Sequence, residues 1–442
     1  MLHIRRARMI AEQEMMRSRY AGSMSIDLIR RHAGGGLRRI AESADITIVD
    51  GLGAHLIDAQ GRMYLDLVTG YGVAALGHRH PRWVTAVTEQ AQGISTSPFH
   101  NPQLATYLSQ LSGIVPEGLT HTALFSGGAE AVEVAVRLAQ LATGRSGILS
   151  FGSAFHGKTA GARFAGGAHE IERSRVGLEW FRCAEFPACT SHQAHNYAMC
   201  DESATLLWDD IVRREDLADI GVVIVEPVLG TAGNIPPRRR FLSELRAFCD
   251  SRGWLLIFDE SLTGFGRTGY GFASQLFDVV PDILVMGKAM GAGFPLSGVA
   301  ASRELWAAGL LDRASATSTS YGGNPLACAA GIAVLDVLME PSFLEHTRRT
   351  ARVLSEGLVK LATESPYVRW PRGVGLMLGF DLVDPDSGDL ADGALCTRIF
   401  EGCREGGLLI AADVPRVRLN PPLTLTEQEA QQALAVLGEV LI

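Results

Sequence analysis

Five short stretches in the middle of the chain are almost continuously apolar, and several run straight into charged residues. Thr122 to Phe125, Gly147 to Phe151, Val222 to Val225, Leu255 to Phe258 and Ile283 to Met286 are too short for helices. They have the length and content of strands buried on both faces. Helical stretches beginning near Ala129 and Arg238 fall between them. That alternation predicts an α/β architecture of crossover units on a mainly parallel sheet, with ligands beyond the C-terminal ends of the strands. Glu226, Asp259, Glu260 and Lys288 all stand just past such stretches. Charges recurring at equivalent strand ends point to a site more strongly than charges on a helix face.

The flanking segments differ. Residues 44 to 80 read as a small sheet, with ITIVD, AHLIDAQ and MYLDLV separated by glycines. From Pro325 to about Ala362 a long helical region is interrupted near Pro341, because proline cannot continue the helix ladder. GLMLGFDLV, a PDSGD turn, a helix from about Ala391, VRLNPPL and a last helix then suggest an α+β terminal domain. Thr426 and Glu429 form a capping-box pattern at that last helix. A chain of 442 residues is long enough for two or more domains.

Charge and cysteine usage narrow the partners. The net charge is −8 and the basic residues are scattered, so no general field favours a polyanion, and nucleic acid is not expected as a partner. The densest basic patch, Arg238 to Arg240, reads as a solvated helix start. No run of 18 uninterrupted apolar residues occurs and MLHIRRARMIAEQEMM lacks a signal-peptide core, which predicts a cytoplasmic protein with no membrane partner. Seven cysteines in so long a chain do not suggest a disulfide framework. Cys183, Cys189, Cys200, His192 and His195 do not match a compact zinc spacing, and no metal is expected.

Lysine is the side chain able to form an imine with an aldehyde cofactor, and Lys288 sits in ILVMGKAMGAGFPLSG, where glycines let a ligand approach the backbone. A lysine there would also simply reach solvent. Asp259 is placed to give a fixed negative charge to a protonated pyridine nitrogen. Glu226 and Glu260 suit loop orientation or plain strand-end charge. In LFSGGAEAVEVAVRLA the amides of Gly128 and Ala129 lie where a helix begins and suit a phosphate, although close helix packing asks for the same glycines. Neither a GxxxxGK[ST] nor a GxGxxG spacing occurs there, which disfavours nucleotide triphosphate and dinucleotide readings. Phe155 offers a ring for stacking on a planar cofactor, or for the core. Arg418, stiffened by the prolines of VRLNPPL, suits bidentate grip of a carboxylate or a salt bridge.

Together these segments resemble the class III aminotransferases, the ornithine and acetylornithine aminotransferase group of fold type I pyridoxal-phosphate enzymes. The likeness runs from about residue 44 to 438. It is carried by YLDLVTGYGVAALGHRHP (64–81), SGGAEAVEVAVRLA (126–139), FHGKT (155–159), EPVLGTAG (226–233), DESLTGFGRTG (259–269), GKAMGAGFPLSG (287–298), SYGGNPLAC (320–328) and RLNPPL (418–423), in that order. It implies a large pyridoxal-phosphate domain at 81–345 and a small α+β domain built from both chain ends, with 1–80 contributing the N-terminal segment and 346–442 the rest. It also implies a homodimer with shared active sites. By the same matches Lys288 carries the cofactor, Asp259 faces the pyridine nitrogen, Gly128 and Ala129 bind phosphate, Phe155 stacks on the ring and Glu226 supports the site. Ser320, where the family usually has threonine, would reach the partner subunit's phosphate. Tyr71 and Arg418 would face the substrate, Arg418 holding its carboxylate. The implied reaction is ping-pong aminotransfer from a small-molecule amino donor to a keto acid, ketone or aldehyde, through pyridoxamine phosphate.

This chain departs from the family pattern at several positions. Gly127 replaces the common serine or threonine of the phosphate turn, Ser261 the usual bulky aliphatic residue against the cofactor ring, and Leu262 a frequent glutamine. Leu229 and Thr231 stand where members that process ornithine often carry glutamine and glutamate. Without that glutamate to pair with it, Arg418 is expected to be more permanently available. Fold relatives also catalyse amino migration, racemisation or decarboxylation with the same lysine, and a non-catalytic metabolite-binding subunit would retain the pocket; the sequence leaves these alternatives open.

Overall fold

The computed structural model describes residues 46–97, 99–166, 180–189, 217–313, 315–412 and 415–442. The stretch MLHIRRARMIAEQEMM, Cys200, His192 and His195 lie outside the described residues. Near the start, β1 (Ile48–Leu52), β2 (His55–Asp58) and β3 (Met63–Asp66) pair antiparallel. Asp58 shapes the β2–β3 turn by accepting from the amides of Gln60 and Arg62 at 2.9 and 2.8 Å.

The large sheet contains β4 (His121–Phe125), β5 (Gly147–Phe151), β6 (Phe181–Ala184), β7 (Ile220–Val225), β8 (Leu255–Asp259), β9 (Ile283–Met286) and β10 (Ser297–Ala301). Their spatial order is β4-β10-β9-β8-β7-β5-β6, and only β10 runs against its neighbours. All five apolar stretches are strands of this sheet. β6 and β10 are not among them: β10 opens with Ser297 and Gly298 and is built of small residues, yet all five of its residues are buried.

Alternate residues of the strands enter two separate cores, as the period of two requires. Ile148, Val222, Ile224, Ile257, Ile283 and Val285 pack with Ala131, Val132, Ala135 and Val136 of the helix Gly128–Thr143. Leu149, Val223, Val225, Leu256, Phe258 and Leu284 pack with Leu242 and Leu245 of the helix Phe241–Arg252 on the other face. Loops at the strand ends are thereby fixed from both sides.

Beyond the large sheet, the helix Pro325–Leu338 ends before Pro341 and the helix Phe343–Glu364 leaves at 74° to it. Among the described residues no single helix is long and apolar enough to cross a membrane. β11 (Val368–Val374), β12 (Met377–Leu382) and β14 (Arg416–Leu419) form an antiparallel sheet. The two-residue β13 (Leu408–Leu409) pairs parallel with β3, so both ends of the chain build one small sheet. The last helix, Glu427–Leu441, carries the expected box: Thr426 Oγ1 accepts from the Glu429 amide at 3.1 Å, and Glu429 Oε2 accepts from the Thr426 amide at 2.8 Å.

Candidate active site

Strand β9 delivers Lys288. Gly287 continues extended and Lys288 then turns left-handed at φ 43°, a conformation that costs a non-glycine residue about 1–2 kcal/mol. Packing of the flanking buried residues Ala289 and Met290 holds it there. Burial pushes the Lys288 ammonium below the usual lysine range, helped by the charges of Arg418 and Arg267 and opposed by those of Asp259 and Glu226. The lysine is thus more readily neutral than one on the surface.

Asp259 ends β8 with only 4% of its surface exposed. Burial alone would raise its pKa, but the bond and charge of His156, hydrogen bonding from Ser261 and the charge of Lys288 together hold it below the carboxylate range. His156 Nδ1 donates to Asp259 Oδ2 at 2.8 Å, and the Ser261 amide donates to Oδ1 at 3.0 Å. His156 is a site residue that the sequence reading missed. It is 3% exposed, and its Nε2 has no hydrogen-bond partner among the described residues. The FHGKT segment contained it, but only a contact 103 residues away in sequence reveals its use.

Glu226, just past β7, links two loops: Oε1 accepts from the Phe155 amide at 2.8 Å and Oε2 from the Gly230 amide at 3.0 Å. Burial lifts its pKa, with the His156 charge and the two amides pulling the other way. Glu260, one residue on from Asp259, points away. It accepts from the Ser274 amide and the Thr263 hydroxyl at 2.8 and 2.9 Å, so its task is local to the 260–274 turn. Strand alternation separates the two neighbouring acids.

The half-buried Phe155 follows β5. Its loop lies against the turn after β4, since a Cβ on Gly157 (φ 141°) would stand 2.6 Å from the Cβ of Ala129. Only glycine permits that approach. In the turn, Glu130 Oε2 accepts from the amides of Gly127 and Ser126 at 2.8 and 3.2 Å, while the Ser297 hydroxyl donates to the Gly127 carbonyl at 2.9 Å. The Gly128 and Ala129 amides belong to the first helical turn, which has no intrahelical acceptor for them. No described group caps them.

Thr69, Gly70, Tyr71 and Gly72 form a left-handed turn, with φ of 48, 62, 64 and 83°. It is tied down by Asp66 Oδ1, which accepts from the Val68 and Thr69 amides at 2.8 and 2.9 Å, and by the Thr69 hydroxyl, which donates to the Asn420 carbonyl at 2.7 Å. The turn sets the Tyr71 ring 4.9 Å from the guanidinium of Arg418 on β14. Arg418 is 9% exposed, and among the described residues its Nε has no hydrogen-bond partner and no carboxylate pairs with it. Arg267, also missed, is fully buried, donates to the carbonyls of Leu376 and Pro421, and has its pKa lowered to about 9 by burial. Ser320 stands apart, exposed on the loop before the helix Pro325–Leu338 and without a hydrogen bond among the described residues.

A family model described as aminotransferase class-III matches residues 39–441. The chain belongs to the class III aminotransferases. It is 32% identical over 391 residues to the 5-aminovalerate aminotransferase DavT of Pseudomonas aeruginosa, covering 86% of this chain and 90% of that one. It is 33% identical over 401 residues to the acetylornithine aminotransferase of Streptococcus mutans, covering 90% and 96%. An amine transaminase from an uncultivated Pseudomonas species, solved in its pyridoxal-phosphate-bound form, superposes with a TM-score of 0.80 at 27% identity, covering 93% and 97%. This aminotransferase uses pyridoxal phosphate and transfers amino groups by ping-pong exchange between small-molecule donors and acceptors.

The residues present fit that cofactor. Two uncapped helix-start amides suit its phosphate, the ionised Asp259 suits a protonated ring nitrogen, and a buried amine of lowered pKa suits its aldehyde. Among the described residues there is no group of three His, Cys, Asp or Glu placed to hold a metal ion.

Proposed function

We propose that this aminotransferase acts on amino acids and keto acids whose carboxylate is held by Arg418. The observation that carries the reading is a buried guanidinium near Lys288 with an aromatic face on one side and no acid among the described residues to neutralise it. A buried charge without a partner is costly, and an incoming carboxylate relieves that cost. Relatives named for 5-aminovalerate and acetylornithine support the same substrate class. Tyr71 positions the guanidinium without competing for its charge.

When bound, pyridoxal phosphate supplies an aldehyde that takes up the amino group and an electron-poor ring that stabilises the deprotonated substrate carbon. The Gly128 and Ala129 amides hold its phosphate, Phe155 covers its ring, and Asp259 keeps the ring nitrogen protonated. His156 keeps Asp259 ionised, and Glu226 fixes the Phe155 loop. Lys288 carries the cofactor, and its Nζ moves the proton from the donor's amino-bearing carbon, which its lowered pKa favours. The acceptor half-reaction reverses these movements.

In the same reading the chain forms a homodimer. Phe99 and Tyr321 are 80% and 68% exposed, and burying such rings favours association. Ser320, beside Tyr321, then reaches the partner's phosphate. The large domain spans 81–345, and 1–80 with 346–442 build the small one. Mixing the cofactor-loaded protein with amino donors tests the activity: the cofactor absorption should change with a donor and return with a carbonyl acceptor. Substrate turnover with an unchanged absorption would instead select racemisation or decarboxylation.

A further inference from the structure

Asn234 lies where three segments of the site meet. It is fully buried, and its backbone is left-handed at φ 54°, a conformation that asparagine tolerates better than most residues. The turn it closes starts at Gly230, whose carbonyl accepts from the Gly233 and Asn234 amides at 3.1 Å and whose own amide donates to Glu226 Oε2 at 3.0 Å. The turn is therefore fastened on one side to the acid that also holds the Phe155 loop.

On its other side the turn is seated against β12 and β14. Asn234 Nδ2 donates to the Leu378 carbonyl at 2.7 Å and also reaches Asn420 Oδ1 at 3.2 Å and the Leu419 carbonyl at 3.4 Å. These acceptors flank Arg418: Leu419 and Asn420 follow it along the chain, and Leu378 faces Leu419 across the ladder. Gly379, which faces Arg418 itself, has no room for a side chain, since a Cβ there would stand 2.6 Å from the Gly233 carbonyl oxygen. That same oxygen accepts from Arg372 Nε at 2.9 Å. Asn420 carries the connection on to the substrate-facing turn, because its carbonyl accepts from the Thr69 hydroxyl at 2.7 Å and Tyr71 is two residues further along. A buried amide finds partners or costs stability, so these bonds hold the Asn234 side chain in one place.

We propose that Asn234 is a positioning residue for substrate recognition: by joining the Glu226 turn to β14 and, through Asn420, to the Thr69–Gly72 turn, it fixes the Arg418 guanidinium and the Tyr71 ring where a carboxylate docks. This inference rests on the reading that Arg418 holds the substrate carboxylate.

The test compares, in the cofactor-loaded enzyme, the donor half-reaction of an ω-amino acid with that of an amine of equal length lacking the carboxylate. Asn234→Gly keeps the left-handed backbone accessible and deletes the donor. Because displacing a binding group by an ångström costs up to about a hundredfold, Asn234→Gly should raise the half-saturating concentration of the ω-amino acid by about tenfold to a hundredfold. The limiting rate, the reaction of the plain amine and cofactor retention should stay as they are. Acting through Arg418, Asn234→Gly should cost the ω-amino acid little more when added to Arg418→Gln than Arg418→Gln costs alone. Thr69→Val removes the bond between the Tyr71 turn and Asn420; it should shift the same constant in the same direction, and it decides the matter if Asn234→Gly does not fold. An unchanged half-saturating concentration overturns the proposal. So do equal losses for both donors, or losses that add in the double variant, since either makes Asn234 a general structural residue. If Arg418→Gln itself spares the ω-amino acid, the carboxylate reading fails first and the proposal falls with it.

Discussion

Replacing Arg418 with glutamine gives the sharpest reading of substrate class. The guanidinium is 9% exposed, stacked at 4.9 Å on Tyr71 and unpaired with any described acid, so a docking carboxylate meets an unneutralised charge in a partly dry site. A hydrogen bond to a charged group contributes about 1.5–3 kcal/mol, and an arginine fork makes two, against which stands the cost of desolvating the carboxylate. A net loss of about 3–4 kcal/mol is consistent with truncating one partner of a buried charge pair. At 1.4 kcal/mol per factor of ten this lowers kcat/KM for carboxylate donors by about a hundredfold to a thousandfold. Stopped-flow measurement of the donor half-reaction should compare an ω-amino acid with an amine of equal length lacking the carboxylate. The first should fall by that factor; the second should change less than threefold, roughly the size of a lost exposed cation–π contact. Equal losses for both donors would refute the reasoning and make Arg418 a structural residue, and no loss for either would place the carboxylate elsewhere.

Three further outcomes follow from the same geometry. Because burial lowers the pKa of Lys288, the rate at which pyridoxal phosphate bonds to the cofactor-stripped protein should rise with pH and level off below the range of an ordinary lysine, at about 10.4; Lys288→Ala should lose the absorption change and about 10³–10⁴-fold or more in rate. The pKa of Asp259 is lowered on folding, so its contribution to stability is fully present above the unfolded value of about 3.9 and is lost as pH falls through the lower folded value. Denaturant titrations should show that loss below about pH 4; it should begin at higher pH in His156→Ala and be absent in Asp259→Asn. Thr426→Ala removes the cap of the last helix and should cost about 1 kcal/mol in urea unfolding, with activity per bound cofactor unchanged.

Much of the large sheet was legible because a strand buried on both faces must be apolar along its whole length, and Ile220–Val225 and Ile283–Met286 are. Charges at or just past the ends of such strands then marked Glu226, Asp259 and Lys288, and the break at Pro341 and the box at Thr426 follow from local chemistry alone. Tertiary structure decided what local pattern leaves open. It separated Asp259 from Glu260, turned Ser297–Ala301 into an interior strand despite its small residues, and paired β13 near one end of the chain with β3 near the other. His156 gains its role from a neighbour far away in sequence, and Arg267 is deeply buried without an ion pair among the described residues. Sequence by itself determined which residues can be strand, turn or charge, since these depend on periodicity and backbone chemistry. Which charges meet and which are left unpaired depend on packing between distant segments, and only the folded chain fixes them.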